Sequence, residues 1–216
     1  TVQGNSNVTI TSGGDGIQSD NTAYETSAED LGTVTITSSK KGAPTLKINS
    51  TGDGIQAFGF VNIEDGTIDI TSGEDSVKTN GTLAEVTLDD DAVDADGNAL
   101  TAVPTDLVLS VITISGGDTT INSSQDGIQA DTLITISGGS VTVQSCAQDA
   151  ITCVGKINVT DGTLTLAPTY DGIQADDIAV LSGGTFNITT DGGYTSFTNT
   201  ANRDGNTDSI TYSCKG

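Results

Sequence analysis

The hexapeptide Asp-Gly-Ile-Gln-Ala-Asp at 126–131 constrains this chain more than any other feature, because the chain keeps returning to it. DGIQSD stands at 15–20, DGIQAF at 53–58, DSVKTN at 75–80, DAVDAD at 91–96, DAITCV at 149–154 and DGIQAD again at 171–176. Every copy opens on Asp and carries Ile or Val two places later. The clean intervals, from 53 to 75, 126 to 149 and 149 to 171, are close to 22 residues. A fixed period in that range marks a supersecondary unit stacked along an axis, since one such unit cannot bury its own apolar face.

The content of a period is plainest between 126 and 171. DGIQAD is followed by LITISGG at 133–139, SVTVQS at 140–145 and the next Asp at 149; then come DAITCV, KINVTDG, TLTLAPTY and DGIQAD again. Each period holds three runs of alternating aliphatic and polar residues, divided by Gly-Gly, Ser-Gly or Asp-Gly. Alternation marks half-buried strands, and those dipeptides mark corners. Three strands and three corners in about 22 residues describe an all-β fold, a three-sided parallel β-helix, with 1–216 as a single domain.

Parity then assigns the inward side chains. They are Ile134 and Ile136, Val141 and Val143, Ile157 and Val159, Leu164 and Leu166, Ile178 and Val180, and Phe186 and Ile188. Upstream, the pairs Val8/Ile10, Val34/Ile36, Leu46/Ile48, Val61/Ile63, Ile68/Ile70, Val86/Leu88 and Ile112/Ile114 fill the same role. Spaced about 4.8 Å per coil, roughly eight coils make a rod about 40 Å long. Insertions interrupt the period at 19–32 and 96–110, and a long loop is expected at 190–209. No amphipathic cap is visible at either end, which favours head-to-tail self-association or a longer parent chain.

Apolar residues make up 34% of the chain and aromatics 4%. That is low for one round core but sufficient for coils that bury one another. Disorder is the alternative for so polar a chain, and the sustained alternation argues against it. With 29 acidic and 7 basic residues the formal net charge is -22, which repels nucleic acid and anionic membranes and attracts cations. No run of 18 apolar residues is present, so no membrane insertion is expected. The absence of an initiator Met and of a signal peptide reads as a mature or trimmed product.

The strongest chemical signal is a column of carboxylates. Asp15, Asp53, Asp75, Asp91, Asp126, Asp149 and Asp171 are expected at one corner of successive coils, with a second column at Asp20, Asp131 and Asp176 and with Asp94 and Asp96 in the fourth copy. Two carboxylates about 4.8 Å apart repel by roughly 3.5 kcal/mol at an effective dielectric near 20, and by about 0.9 kcal/mol in water. A row of them needs cations, amide donors or protons. The all-oxygen ligand set suits Ca²⁺, whereas the absence of His and the scarcity of Cys argue against softer metals. The competing reading is that each Asp closes its own Asp-Gly turn.

Other surface features leave further alternatives open. The series Gln18, Gln56, Gln129 and Gln174 points outward, as a self-bonding ladder or as amides offered to sugar hydroxyls. Outward Thr pairs such as Thr135 with Ser137 and Thr163 with Thr165 make a soluble strand face. Sugar stacking needs exposed aromatics, for which Tyr24, Phe58, Tyr170 and Tyr194 are the candidates. Cys146 and Cys153 read equally as a disulfide of an oxidising exterior or as two buried thiols, with Cys214 left over.

The repeats SGGTFNIT, LITISGG and YDGIQADD resemble those of a bacterial cell-surface carbohydrate-binding β-helix family, related in shape to pectate lyases, over essentially the whole chain. The resemblance implies a right-handed parallel β-helix, extracellular or at the cell surface, that holds calcium and binds polygalacturonate- or cellulose-like polysaccharide without cleaving it. The Asp residues of the column match the family's DGI positions; after Asp75, Asp91 and Asp149 the Gly is lost. Lyase chemistry needs a Lys or Arg base beside an ion, and Lys78 is the single basic residue within a carboxylate corner. A salt bridge is the preferred use of it. An adhesive or filament subunit stacking coil on coil is the alternative of a different class.

Overall fold

A computed structural model describes residues 1–191 together with the backbone of 198–203 and 206–214. The chain is all-β, with two three-residue 3-10 turns as its only helical elements among the described residues. Its strands pair in parallel with near-constant register, in three ladders. The short ladder stacks Ile17–Ser19, Ile55–Ala57, Val77–Thr79, Ile128–Ala130, Ile151–Cys153 and Ile173–Ala175. A second ladder joins Thr33–Thr37, Phe60–Ile63 and Val111–Ile114 to the first halves of Leu133–Cys146 and Lys156–Pro168. The third joins Asn7–Ser12, Thr45–Ser50, Thr67–Ser72 and Asp118–Ser123 to the second halves of the same two long strands, then to Thr185–Thr190. The second and third ladders form one sheet, bent through the long strands.

Sequence dictates this bend locally. The corner between the second and third ladders is held by Gly66, Gly117, Gly139, Gly162 and Gly184, all with φ between 77° and 121°. That region is open to glycine and strained for residues with a Cβ. Inside, aliphatic side chains stack in columns such as Val34, Val61, Ile112, Ile134 and Ile157, in one continuous core whose central members are fully buried. Complete burial of each such side chain contributes about 1.5–3 kcal/mol.

Two expectations are corrected by the register, and one inward place is new. DAVDAD at 91–96 is not a copy of the repeat. Val77 pairs directly with Ile128, so residues 80–110 form one long insertion in place of 96–110, and Val86 and Leu88 leave the main core. Ile178 and Val180 point outward, 47% and 42% exposed, because Ile178 pairs with the outward Lys156. Parity is counted from the preceding short strand across a two-residue link, and it overrides hydrophobicity. Thr119 takes an inward place between Ile68 and Val141, buried and with its Oγ1 unpartnered among the described residues.

The two insertions, expected as separate loops, meet. Ala23–Tyr24 pairs with Thr87–Leu88, and Tyr24, Leu31, Phe58, Val86, Ala92 and Leu109 form a second buried cluster beside the main core. At the far end, Thr198–Arg203 lies within the stretch 190–209 expected as a loop and pairs antiparallel with Asn206–Cys214, which begins in that stretch and runs beyond it.

Candidate functional site

The Asp that opens each copy lies where the chain turns from a third-ladder strand into a short one. Its own N–H runs along the stack to the carboxylate of the copy before. Asp53 N–H donates to Asp15 Oδ1 (2.8 Å), Asp75 to Asp53 (2.9 Å), Asp126 to Asp75 (2.8 Å), Asp149 to Asp126 (2.8 Å) and Asp171 to Asp149 (2.8 Å). The step from Asp75 to Asp126 spans 51 residues of sequence with unchanged geometry. Asp91 is outside this column: it is exposed in the insertion, its N–H donating to Asp89 Oδ1.

Amide donors, one of the three ways such a row is relieved, are what the structure supplies, though not as an Asp closing its own turn. Each carboxylate closes the turn of the next copy rather than its own, so one oxygen of Asp15, Asp53, Asp75, Asp126 and Asp149 is committed to an amide. Among the described residues no three acidic, His or Cys side chains converge to hold an ion. Amide donors thus take up one oxygen of each of these five carboxylates at the corner where calcium was expected. A lysine answers its charge instead: Lys78 Nζ lies 2.7 Å from Asp75 Oδ2 and 3.9 Å from Asp53 Oδ2, with its side chain 20% exposed.

Burial pushes the Asp53 carboxyl up to about 6, with Lys78 pulling it down and the charges of Asp75 and Asp15 adding to the rise. Burial likewise pushes Asp126 up to about 6, against the amide of Asp149 and helped by the charges of Asp75 and Asp149. Asp149 is raised by burial too. For Lys78 burial alone favours the neutral amine, but its bond to Asp75 and the charges of Asp75 and Asp53 hold its pKa above the usual value.

The second carboxylate column is broken. The register of the short ladder places Phe58, Asn80 and Val154 among Asp20, Asp131 and Asp176, so these acids do not stack on one another. Asp176 accepts a hydrogen bond from Gln174 Nε2 (2.6 Å), and Asp20 is exposed. Asp94 is a turn hub within the insertion, held below the ordinary range by the Asn98 side chain and by amides.

The outward row of the short ladder reads Gln18, Gln56, Lys78, Gln129, Thr152 and Gln174. Gln18 donates to Gln56 Oε1 (3.0 Å) and the Thr152 hydroxyl to Gln174 Oε1, so part of the row bonds to itself. Gln129 Oε1 is buried and has no partner among the described residues. Of the aromatics, Tyr24 is 7% exposed and donates to Thr26 O (3.1 Å), closing the second cluster. Phe58, expected outward, is buried in that cluster as well. Both are withdrawn from ligand stacking. Tyr170 stands 64% exposed at the corner before Asp171, its N–H donating to Gln148 O. Tyr194 lies outside the described residues. Cys146 and Cys153 are free buried thiols, the second of the two readings, and burial pushes Cys146 up to about 12.

Sequence reasoning missed a concave surface. Where the 80–110 insertion runs beside the second ladder, two adjoining hollows of about 360 and 320 Å³ share Val108, Asp131 and Thr132. The first adds Leu133, Gly155, Lys156 and Asp177, the second Leu83 and Leu107. The available signal was the insertion itself, since loops interrupting a repeat often carry its binding surface.

No curated protein and no solved structure matches the chain. A family model described as a carbohydrate-binding domain-containing protein matches residues 2–150 and again 145–215. Two successive matches suit a molecule built from parallel repeats, and together they cover nearly its whole length. The chain belongs to the family of carbohydrate-binding domain-containing proteins.

Proposed function

We propose that this protein is a non-catalytic module, outside the cell or on its surface, that binds polysaccharide along a right-handed three-sided β-helix. The observation that carries the reading, beside the family, is Tyr170. Its ring is 64% exposed at a corner where it follows Gln125 and Gln148 in one row along the stack. An exposed ring flanked by amides supplies a C–H-facing platform and hydrogen bonds to hydroxyls. A non-cleaving role is supported by the column, where five carboxylates are tied to amides and the one basic residue is bound to Asp75. A cellulose-like polymer meets this surface without charge repulsion. A polygalacturonate meets a net charge of -22 and needs calcium from solution to bridge it.

The test is retention on insoluble cellulose and on immobilised polygalacturonate, with calcium and with EDTA. Wild-type protein is expected to bind, with loss in EDTA confined to polygalacturonate and a drop of about tenfold for Tyr170→Ala, in line with an aromatic hot spot. No retention on either polymer overturns the reading. Unsaturated uronate products in the supernatant would convert the module into a lyase. A second reading, a rod stacking on its own copies, draws on Val8, Ile10 and Ile17, which are only half-buried where Leu46, Ile48 and Ile55 are fully buried. Sedimentation at rising concentration separates the two.

A further inference from the structure

We infer that the groove between the 80–110 insertion and the second ladder is a separate saccharide-binding site, selective for neutral sugars over uronates. It rests on the carbohydrate-binding reading but uses a different corner from Tyr170, the one after the short strands rather than before them. The two hollows together fall within the roughly 300–1,000 Å³ of small-ligand sites. Their walls are mixed in the way a hexose is mixed. Val108, 55% exposed, and Leu83, 38% exposed, offer aliphatic surface for C–H faces. Beyond the rim, Val154 and Ile178, each next to a lining residue, extend the apolar strip.

The polar groups are free to receive a ligand. The carboxylate of Asp131, shared by both hollows, is half-buried and accepts no hydrogen bond among the described residues, although its own N–H is fixed by Ser110 Oγ at 2.8 Å. Lys156 and Asp177 face each other at 3.9 Å with about 60% of each side chain exposed, too loose to hold one another against a competing hydroxyl. Sugar hydroxyls donate to Asp131 and Asp177 and accept from Lys156. Two carboxylates against one ammonium, in a molecule of net charge -22, repel a uronate.

The experiment is titration calorimetry of the full chain with neutral cello-, xylo- and manno-oligosaccharides, with oligogalacturonate, and with a cationic glucosamine oligomer. Variants are Val108→Asp and Asp131→Asn, each checked for an unchanged thermal midpoint. At least one neutral oligosaccharide is expected to bind, weakened about tenfold or more in each variant, as loss of a charged hydrogen bond or of apolar contact predicts. Oligogalacturonate should show no loss specific to these variants. Neutral-sugar binding unaffected by both variants but lost in Tyr170→Ala overturns this inference and leaves the carbohydrate reading standing. Preferential, salt-sensitive capture of the cationic oligomer overturns the selectivity. Wild-type protein that binds none of the sugars overturns both.

Discussion

At the scale of single residues, Asp126 shows what the column asks of a side chain. Its Oδ1 must accept the Asp149 amide at a buried corner, while its charge is a burden there. Asn keeps the acceptor and removes the charge; Ala removes both. Asp126→Ala should lose about 1–3 kcal/mol, the cost of an unsatisfied buried donor. Asp126→Asn should equal or exceed wild type at pH 7.5. Chemical denaturation of both variants decides the matter, and an Asn variant as weak as the Ala variant would sink the acceptor account. Lys78→Met belongs to the same test. It removes the one cation beside Asp53 and Asp75, and a loss of about 3 kcal/mol is expected when a buried carboxylate loses its partner.

At the scale of elements, the accessory unit stands on Tyr24. Its ring joins the two insertions, and Leu31, Phe58 and Val86 share its cluster. Tyr24→Ala should cost about 3 kcal/mol in the accessory unit, as large-to-small changes in a core do. Hydrogen exchange should rise in 20–32 and 80–110 while the ladders stay protected; uniform loss across the ladders would show that the insertions are integral to the coils. Much of the ladder architecture was legible in the sequence, because alternation and turn dipeptides are local signals. The union of the insertions was not, since nothing local links Tyr24 to Thr87–Leu88 across more than 60 residues. DAVDAD misled because its first, fifth and sixth letters match DGIQAD and Val93 stands where the repeat has Ile, while no short strand is formed there. Ile178 and Val180 misled because composition spoke against the count of links. The candidate site was half legible: Tyr170 and the Asp column were visible as letters, whereas the groove exists only once the insertion folds back beside Asp131.

For the whole molecule, the raised carboxyls set the response to pH. Asp53 and Asp126 have folded pKa values near 6, above an unfolded value near 4. Between about pH 4 and 6 the folded chain therefore binds more protons than the unfolded chain, and stability falls as pH rises through that window. Each group costs on the order of 2–3 kcal/mol once fully ionised. Asp30, Glu85 and Asp94, held below the ordinary range chiefly by hydrogen-bond donors, oppose this only at more acid pH. The thermal midpoint should thus be highest near pH 4 and lower at pH 7.5, with the difference reduced in Asp126→Asn. A midpoint that rises from pH 5 to 7.5 would contradict the placement of these acids.

The uninterrupted step from Asp75 to Asp126 carries a last consequence. Thr79 and Ser110 are drawn together where the insertion leaves and returns, Ser110 Oγ donating to Thr79 O at 2.7 Å. The spine is thus clamped shut at the doorway, and what lies beyond it is mechanically a cassette. Any polypeptide whose two ends close on that clamp is open to exchange there, so the face that the insertion builds is free to change while the ladders beside it stay the same.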